Sequence, residues 1–530
     1  MDRRTLLTTA AALTAGAAVT ACTGGDGDPA GSAGTTPGTR PASPPGSASA
    51  STTPKGNAPA DWAALARGLD GRLVSPGDAD WSSARQLYNT RFDGLKPAAV
   101  AYVSGAGDVR ECLAYARAHA VPVAVRNGGH SYGGWSSGDG RLVIDVSSLD
   151  GVAADGTIGA GAKLAAVYRT LARTGRTIPG GSCPTVGISG LTLGGGHGVT
   201  SRAYGLTCDS LLEATVVTAD GRTRTASPEA DADLFWALRG GGTGSFGVVT
   251  GFRFRTHPAP PTVTAYLSWP WPRAAAVLMA WQRWGPAQPD EIWSSLHLSA
   301  GPGGVRPTLS VTAFTLGDEA GLRNAVDRLA DAAGSPASSV ALRPRSYPDA
   351  MLAFAGCSSL DEDRCRLPGT TPGRSERGAL RRETYASASD FYDRVIPDAG
   401  VRALLAAVEA FTRIPAGQGA GGGTIQLTAL GGAVNRVGPL ATSFVHRRSR
   451  LLAQYIAAWR PDAPGTAARS WLRETRASLR RYASGAAYQN YADPELRNWR
   501  EAYYGPAADR LTRLKRRYDP DRVFDHPQVI

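Results

Sequence analysis

Residues 123–150, VAVRNGGHSYGGWSSGDGRLVIDVSSLD, decide the fold. An apolar run ends at Arg126, breaks into glycines around His130, and resumes at Arg141 as an alternating strand. A Gly-Gly step lets the backbone take positive φ, and successive N–H groups there can converge on an anion such as a pyrophosphate. A Rossmann loop runs from a strand into a helix N-terminus, whereas strands flank these glycines on both sides. The chain also holds a formal G-x-G-x-x-G, formed by Gly242, Gly244 and Gly247 in RGGGTGSFG. A helical segment precedes it and a strand follows, the reverse of the required order, so no NAD site is expected there.

Outward from this loop, residues 62–258 alternate short strands and helices. AAVAYVSG, VPVAVR, RLVIDVS, LLEATVVTADG and FGVVTGFRFRTHP read as strands. DVRECLAYARAHA reads as a helix with Asp108 as its N-cap, KLAAVYRTLARTG as a helix ending at Gly175, and DADLFWALRG as a short helix. From residue 260 to about residue 480 the pattern changes to a second, α+β domain. TVTAYLSW, IWSSLHLSA, RPTLSVTAFTLG and GGTIQLTALGGAV read as antiparallel strands. EAGLRNAVDRLADAAG, VRALLAAVEAFTRI and RRSRLLAQYIAAW read as helices between them. The tail holds a further helix, RLTRLKRRYD, whose apolar residues fall at helical spacing despite its basic charge.

The 530 residues exceed one ordinary domain, and 42% apolar content suffices for full cores. Residues 1–22 read as an export signal: Arg3 and Arg4, a short apolar stretch, then small residues. Arg-Arg before Thr, Leu and Leu resembles a twin-arginine signal. VTAC resembles a lipobox with Cys22 as the lipidated residue, the alternative being cleavage without lipid. Residues 23–60, rich in Gly, Ser, Thr, Pro and Ala, read as a disordered linker. The net charge is +12, yet only four of the 57 basic residues are lysines and the charge is spread along the chain. Nucleic acid is therefore not an expected partner, and a membrane is expected only through a lipid on Cys22. Cys357 and Cys365 lie eight apart, without a neighbouring histidine, so a disulfide is expected in an oxidising compartment. Cys112 and Cys208 read as buried thiols.

Four ordered blocks together resemble the berberine-bridge-enzyme-like oxidases of the vanillyl-alcohol-oxidase superfamily. They are RNGGHSYGG, GGSCPTVGISGLTLGGGHGVTSRAYGLTCDSL, DLFWALRGGGTGSFGVVTGFRFR, and the terminal YQNYADPELRNWREAYYGPAADRLTRLKRRYDPDRVFDHPQVI. The resemblance implies a two-domain α+β fold of the PCMH-type flavin-binding kind. An FAD-binding domain (61–260) and a C-terminal segment (481–530) would frame an inserted substrate domain (261–480) whose sheet roofs the flavin.

It further implies bicovalent FAD, with His130 bonded to the flavin 8α-methyl and Cys183 to flavin C6. Arg126, Asn127, Gly128, Gly129, Ser131 and Tyr132 match the loop around the pyrophosphate. Gly187, Ser189, Gly190, Gly194, Gly195, Gly196, Gly198, Gly247, Val248 and Val249 match further FAD-lining positions. His197 stands where the family usually carries an apolar residue and reads as a local variation. Val186 matches a gate position at which valine admits oxygen to the reduced ring and leucine blocks it.

YQNY matches the family's Y-x-N-Y, which makes Tyr491 the base, with Asn490 and Tyr488 supporting the flavin or Tyr491. A free tyrosine titrates near 10, so its phenolate needs stabilising by positive charge or hydrogen-bond donors. A core aromatic cluster is the alternative for this segment. Gln426 and Thr428 share parity on a strand expected to face the flavin, with no carboxylate beside them. Trp271, Trp281, Trp284, Trp293 and His297 are candidates for a sugar or aromatic subsite, although such residues more often fill cores. A His/Cys metal site from His130, His197, Cys183 and Cys208 lacks ligand spacing. The expected activity is oxidation of an alcohol or sugar hydroxyl, with oxygen reduced to hydrogen peroxide. The alternatives are a flavin dehydrogenase with another acceptor, a natural-product tailoring enzyme, and a lipid-anchored solute-binding protein.

Overall fold

The computed structural model describes residues 61–530. The expected export signal, Cys22 and the linker lie outside the described residues. The first sheet, ordered β1-β2-β4-β3, contains β1 (Arg72–Val74), β2 (Ala99–Tyr102), β3 (Val123–Arg126) and β4 (Leu142–Asp145). β2, β4 and β3 run parallel. VAVR and LVID are near-continuously apolar because helices and loops cover both faces of a parallel sheet. A parallel partner must be re-entered from its starting end, so β3 cannot turn back in a tight hairpin. Residues 127–141 make that return, and His130 sits just beyond the C-terminal end of β3.

β5 (Thr157–Gly159), β7 (Leu211–Val217), β8 (Thr223–Ala226) and β9 (Val248–Phe254) form an antiparallel sheet ordered β5-β9-β7-β8. β6 (Arg176–Thr177) and β10 (His257–Pro258) pair separately. The seven-stranded sheet is ordered β14-β11-β13-β12-β16-β17-β15 and is antiparallel throughout. Its strands are β11 (Thr262–Trp269), β12 (Ile292–Ala300), β13 (Thr308–Thr315), β14 (Ser339–Arg345), β15 (Tyr385–Tyr392), β16 (Ala420–Ala429) and β17 (Leu451–Trp459).

Helices Ala274–Trp284, Glu319–Ala332, Asp398–Thr412 and Thr466–Leu479 pack on one face of this sheet. Leu296, Val311, Leu427 and Ala453 point into that core. Burying each large aliphatic side chain stabilises by about 1.5–3 kcal/mol, which fixes the strand parity. The alternate residues, His297, Ser310, Gln426 and Gln454, therefore face the other way, towards the first two sheets. Two buried arginines tie the layers together. Arg447 donates to both carboxylate oxygens of Asp209, at 2.7 and 2.9 Å. Arg202 donates to the carbonyls of Ile292 and Pro286 at 2.8 and 3.3 Å.

The C-terminal helix Ala508–Tyr518 packs Leu511 and Leu514 into the core formed around the first two sheets. Buried Lys515 ties it down through Asp519 and the carbonyls of Ser245 and Phe524. Cys357 and Cys365 form the expected disulfide, and Cys112 and Cys208 are buried free thiols. Among the described residues no helix is long and apolar enough to cross a membrane.

Two expectations need correction. RLLAQYIAAW is not helical: it is β17, paired on both sides and buried on both faces. A continuous apolar run has no periodicity that separates strand from helix. Asp108 is not the N-cap of Ala106–Ala118, a position that Gly105 takes. Its carboxylate instead accepts from the backbone N–H groups of Asp70, Gly71 and Ser104 at 2.9, 3.0 and 2.7 Å, which tethers the loop before β1.

Candidate active site

A cavity of about 590 Å³ lies between the polar face of the seven-stranded sheet and the two smaller sheets. Its floor is built where the loop after β3 crosses residues 180–190. Gly128 is the crossing point: a Cβ there would lie 2.4 Å from the Thr185 carbonyl oxygen and 2.8 Å from the Gly187 nitrogen. At Gly187 a Cβ would strike the Asn127 side chain at 2.1 Å. These two glycines therefore serve loop-to-loop contact. Gly129, at φ +68°, turns the chain so that His130 faces the cavity. Arg126 braces the loop from below through a buried ion pair with Asp145 at the matching register of β4.

His130 stacks on Tyr88 with ring centroids 4.0 Å apart, and its Nε2 meets the Thr185 hydroxyl at 2.8 Å. Burial, with the Lys163 ammonium adding to it, holds the imidazole down at about 3. The ring is thus neutral at ordinary pH. Cys183 and Val186 line the same floor.

The opposite wall is the segment around the short helix Gln489–Tyr491. Tyr491 projects into the cavity, with its hydroxyl 2.7 Å from His197 Nε2. Its ring packs edge-on to Tyr488 at 5.0 Å and against Tyr132 at 5.4 Å. Burial, followed by the Tyr132 and Tyr488 hydroxyls, pushes Tyr491 well above the usual tyrosine range. Asn490 donates to the Leu191 carbonyl at 2.9 Å and to the Tyr488 hydroxyl at 3.0 Å.

The roof is a polar row across the strands of the large sheet. Ser310, His297, Gln426 and Gln454 are successive cross-strand partners, and Gln454 donates to the Tyr132 hydroxyl at 3.0 Å. Beside that row stand Tyr266, Thr312 and Ser295.

Most of the residues expected at the site meet in this cavity. Asn127, Ser131, Tyr132, Ser189, Gly190, Gly198, Gly247 and Val249 line it, as does Gln426. Others do not. Gly194, Gly195 and Gly196 lie behind the wall: a Cβ at Gly194 would strike Asn490, at Gly195 Phe444, and at Gly196 Thr207. Gly194 is small so that Asn490 can lie on it, while Gly195 and Gly196 make room for Phe444 and Thr207. Val248 is fully buried on β9, where alternation sends it away from the cavity while Val249 faces in. Thr428, of the same parity as Gln426, is buried beyond the cavity rim. Of the aromatic candidates, Trp293 and His297 line the cavity. Trp281 and Trp284 belong to the helix-side core, and Trp271 packs against that core with its Nε1 donating to Glu409.

The sequence reading missed Gln454, His526 and the role of His197. Gln454 was masked by the helical reading of its strand, and His526 came from a tail with no periodicity.

The floor fits a flavin nucleotide. Among the described residues, the backbone N–H groups of residues 128–132 donate to no protein acceptor, an arrangement suited to an anionic pyrophosphate. Gly190 lines the cavity with no atom within 4 Å of where its Cβ would stand. Arg126, buried with one guanidinium nitrogen unpaired, adds fixed positive charge beneath the loop.

Fold and cavity together define a flavin-linked oxidoreductase. An FAD-binding-domain family model matches residues 97–227, and a berberine and berberine-like model matches residues 487–530. An uncharacterized FAD-linked oxidoreductase, YgaK of Bacillus subtilis, is 32% identical over 87% of this chain and 97% of its own. A chitooligosaccharide oxidase of Gibberella zeae is 30% identical over 86% of this chain and 91% of its own. Among solved structures, Physcomitrella patens BBE-like 1 superposes with a TM-score of 0.78 at 30% identity, covering 88% of this chain and 98% of that one. A xylooligosaccharide oxidase from Myceliophthora thermophila, in complex with xylobiose, does so with a TM-score of 0.77 at 27% identity and the same coverages. The chain belongs to the berberine-bridge-enzyme-like FAD-linked oxidoreductases.

Proposed function

We propose that this protein is an exported oxidase that carries FAD bonded to His130 and Cys183, oxidises a carbohydrate or alcohol hydroxyl, and returns the electrons to oxygen as hydrogen peroxide. The observation that carries this reading is one cavity with His130 on its floor, Tyr491 on its wall and a row of amides, hydroxyls and an imidazole as its roof. Bound there, the flavin supplies the two-electron acceptor for a hydride.

The chain's own residues supply the rest. His130 is neutral, as a nucleophile must be, and with Nε2 engaged by Thr185 its Nδ1 is left to form the bond. Cys183, on the same floor, bonds flavin C6 through its sulfur, the thiolate being the reactive form. The substrate enters beneath Gln426, Gln454 and His297. Each can exchange hydrogen bonds with a hydroxyl, as suits a sugar. Tyr491 receives the hydroxyl proton as the hydride departs. Oxygen as acceptor rests on Val186, which leaves the cavity floor one methylene shorter than leucine would. Export, with lipid on Cys22, rests on the paired arginines and the VTAC sequence.

The test is a peroxide-coupled screen of mono- and oligosaccharides and simple alcohols on purified yellow protein. Peroxide release abolished or strongly slowed by Tyr491→Phe, with flavin retained, is the expected result. Wild-type rates in Tyr491→Phe would remove Tyr491 as base. Flavin reduction without peroxide, unchanged by opening position 186 further with Val186→Ala, would make the protein a dehydrogenase. A colourless protein that binds a sugar without turnover would make it a binding protein.

A further inference from the structure

Tyr491 is a poor base as it stands. Burial and two neighbouring tyrosines push its hydroxyl up, and among the described residues no cation offsets them. A phenolate would be formed there only at high pH. Among the described residues the hydroxyl has one hydrogen-bond partner, His197 Nε2, at 2.7 Å.

That partner is held in place from several sides. The Tyr488 ring lies edge-on to both His197, at 5.4 Å, and Tyr491, at 5.0 Å. The Tyr488 hydroxyl accepts from Gly196 N at 2.9 Å, which ties the loop carrying His197 to the segment carrying Tyr491. Asn490, wedged on Gly194 and bonded to the Leu191 carbonyl, fixes the same two pieces a second time. The separation between the imidazole and the phenol is thus set by three contacts between the loops.

Resting on the oxidase reading above, we infer that His197 is the proton acceptor behind Tyr491. The substrate hydroxyl gives its proton to Tyr491 Oη while Tyr491 passes its own proton to His197 Nε2. In the same event the carbon-bound hydrogen leaves as hydride to the flavin, and the C=O bond forms. Two electrons leave the substrate, its proton stays on Tyr491, the former Tyr491 proton sits on the imidazolium, and Tyr491 is neutral before and after. At neutral pH the imidazolium then gives up that proton, and one proton is taken up again when oxygen accepts the two electrons and becomes hydrogen peroxide.

Hydrogen-bond chemistry sets the direction. A phenol is a stronger acid than an imidazole N–H, and an imidazole nitrogen is a stronger base than a phenol oxygen. The resting bond therefore runs from Tyr491 O–H to the Nε2 lone pair. His197 Nδ1 is buried without a partner among the described residues, so either tautomer leaves that atom unpaired and the Tyr491 bond decides between them. The groups facing the imidazole are Tyr488 and Tyr491, with Tyr132 behind Tyr491. Among the described residues no carboxylate or guanidinium contributes, and burial lowers the ring to about 4. The acceptor is therefore neutral and available throughout the neutral range.

The substrate-free test is the 15N spectrum of histidine-labelled holoenzyme, tractable with seven histidines in the chain. The His197 signals are assigned by their loss in His197→Gln. They should show an unprotonated, hydrogen-bonded Nε2 that shifts in Tyr491→Phe. A protonated Nε2 in the wild type, or no shift in Tyr491→Phe, overturns the inference.

The kinetic test is anaerobic flavin reduction by the substrate returned by the peroxide screen. The wild-type rate should be level from about pH 5 to 9, because the acceptor titrates below that range. His197→Gln, with flavin retained, should be slower by about 10²-fold at neutral pH and climb steadily with alkalinity, because only a phenolate can then act. Added imidazole should restore part of the rate. If Tyr491→Phe is slow but His197→Gln keeps the wild-type rate and profile, the relay falls and the oxidase stands. If Tyr491→Phe itself is fast, the base assignment falls with it.

Discussion

Replacing Asp145 by asparagine should loosen the floor on which His130 stands. Arg126 and Asp145 pair at the ends of adjacent parallel strands, with side chains only 4% and 3% exposed. The second Asp145 oxygen accepts from Ser147 N at 2.8 Å. Lys163 and Arg374 also lie within electrostatic reach of this carboxylate, so one anion serves a cluster of cations. Asparagine keeps the volume and leaves the Arg126 guanidinium buried without its counter-charge. Removing one member of a buried pair costs about 3–5 kcal/mol. At about 1.36 kcal/mol per factor of ten, that is roughly a hundred- to several-thousand-fold in the unfolding equilibrium.

The assay is urea unfolding of the holoenzyme, followed by tryptophan fluorescence and by flavin absorbance. The transition carrying the flavin signal should move to lower urea. The double variant Arg126→Met, Asp145→Leu should lose less than Asp145→Asn, because well-packed apolar residues replace a buried pair at little cost. A single variant within about 1 kcal/mol of wild type, or a double variant worse than the single, would refute the reasoning.

Gly128→Ala should yield protein with markedly less bound flavin, because its Cβ would sit 2.4 Å from the Thr185 carbonyl oxygen; a wild-type visible-to-ultraviolet absorbance ratio counts against this. Glu383, which partners the Tyr88 hydroxyl beneath His130, is raised by burial to about 7 from 4.5. Between those values the folded chain keeps a proton that the unfolded chain has released, so Glu383 makes stability fall as pH rises through that window. Glu383→Gln should flatten that slope in melting temperatures, and an unchanged slope removes Glu383 as its source. Val186→Leu should slow reoxidation by oxygen while leaving anaerobic reduction intact; equal reoxidation rates would dismiss the gate.

How far the sequence could be read depended on local chemistry. The His130 loop was legible because two strands bracket a glycine turn, an order that excludes the Rossmann alternative. The structure adds that those strands are parallel, which is why the connection is long enough to carry a site. Tyr491 and Asn490 were legible from a short terminal motif. Gly194, Gly195 and Gly196 were placed against the cofactor because glycine permits close approach to anything; here what approaches is the protein's own Asn490, Phe444 and Thr207. Gln454 was hidden because a central strand buried on both faces has the composition of a helix. His197 was set aside because its partner lies 294 positions away, a distance that no local pattern spans.

The account rests on a flavin bonded to His130 and Cys183. Peptide mass spectrometry of the yellow, thiol-reduced and digested protein tests it most directly. One flavin-bearing species that joins the His130 and Cys183 peptides and survives reduction is the predicted result. Both peptides recovered at their unmodified masses from fully flavin-loaded protein would contradict it.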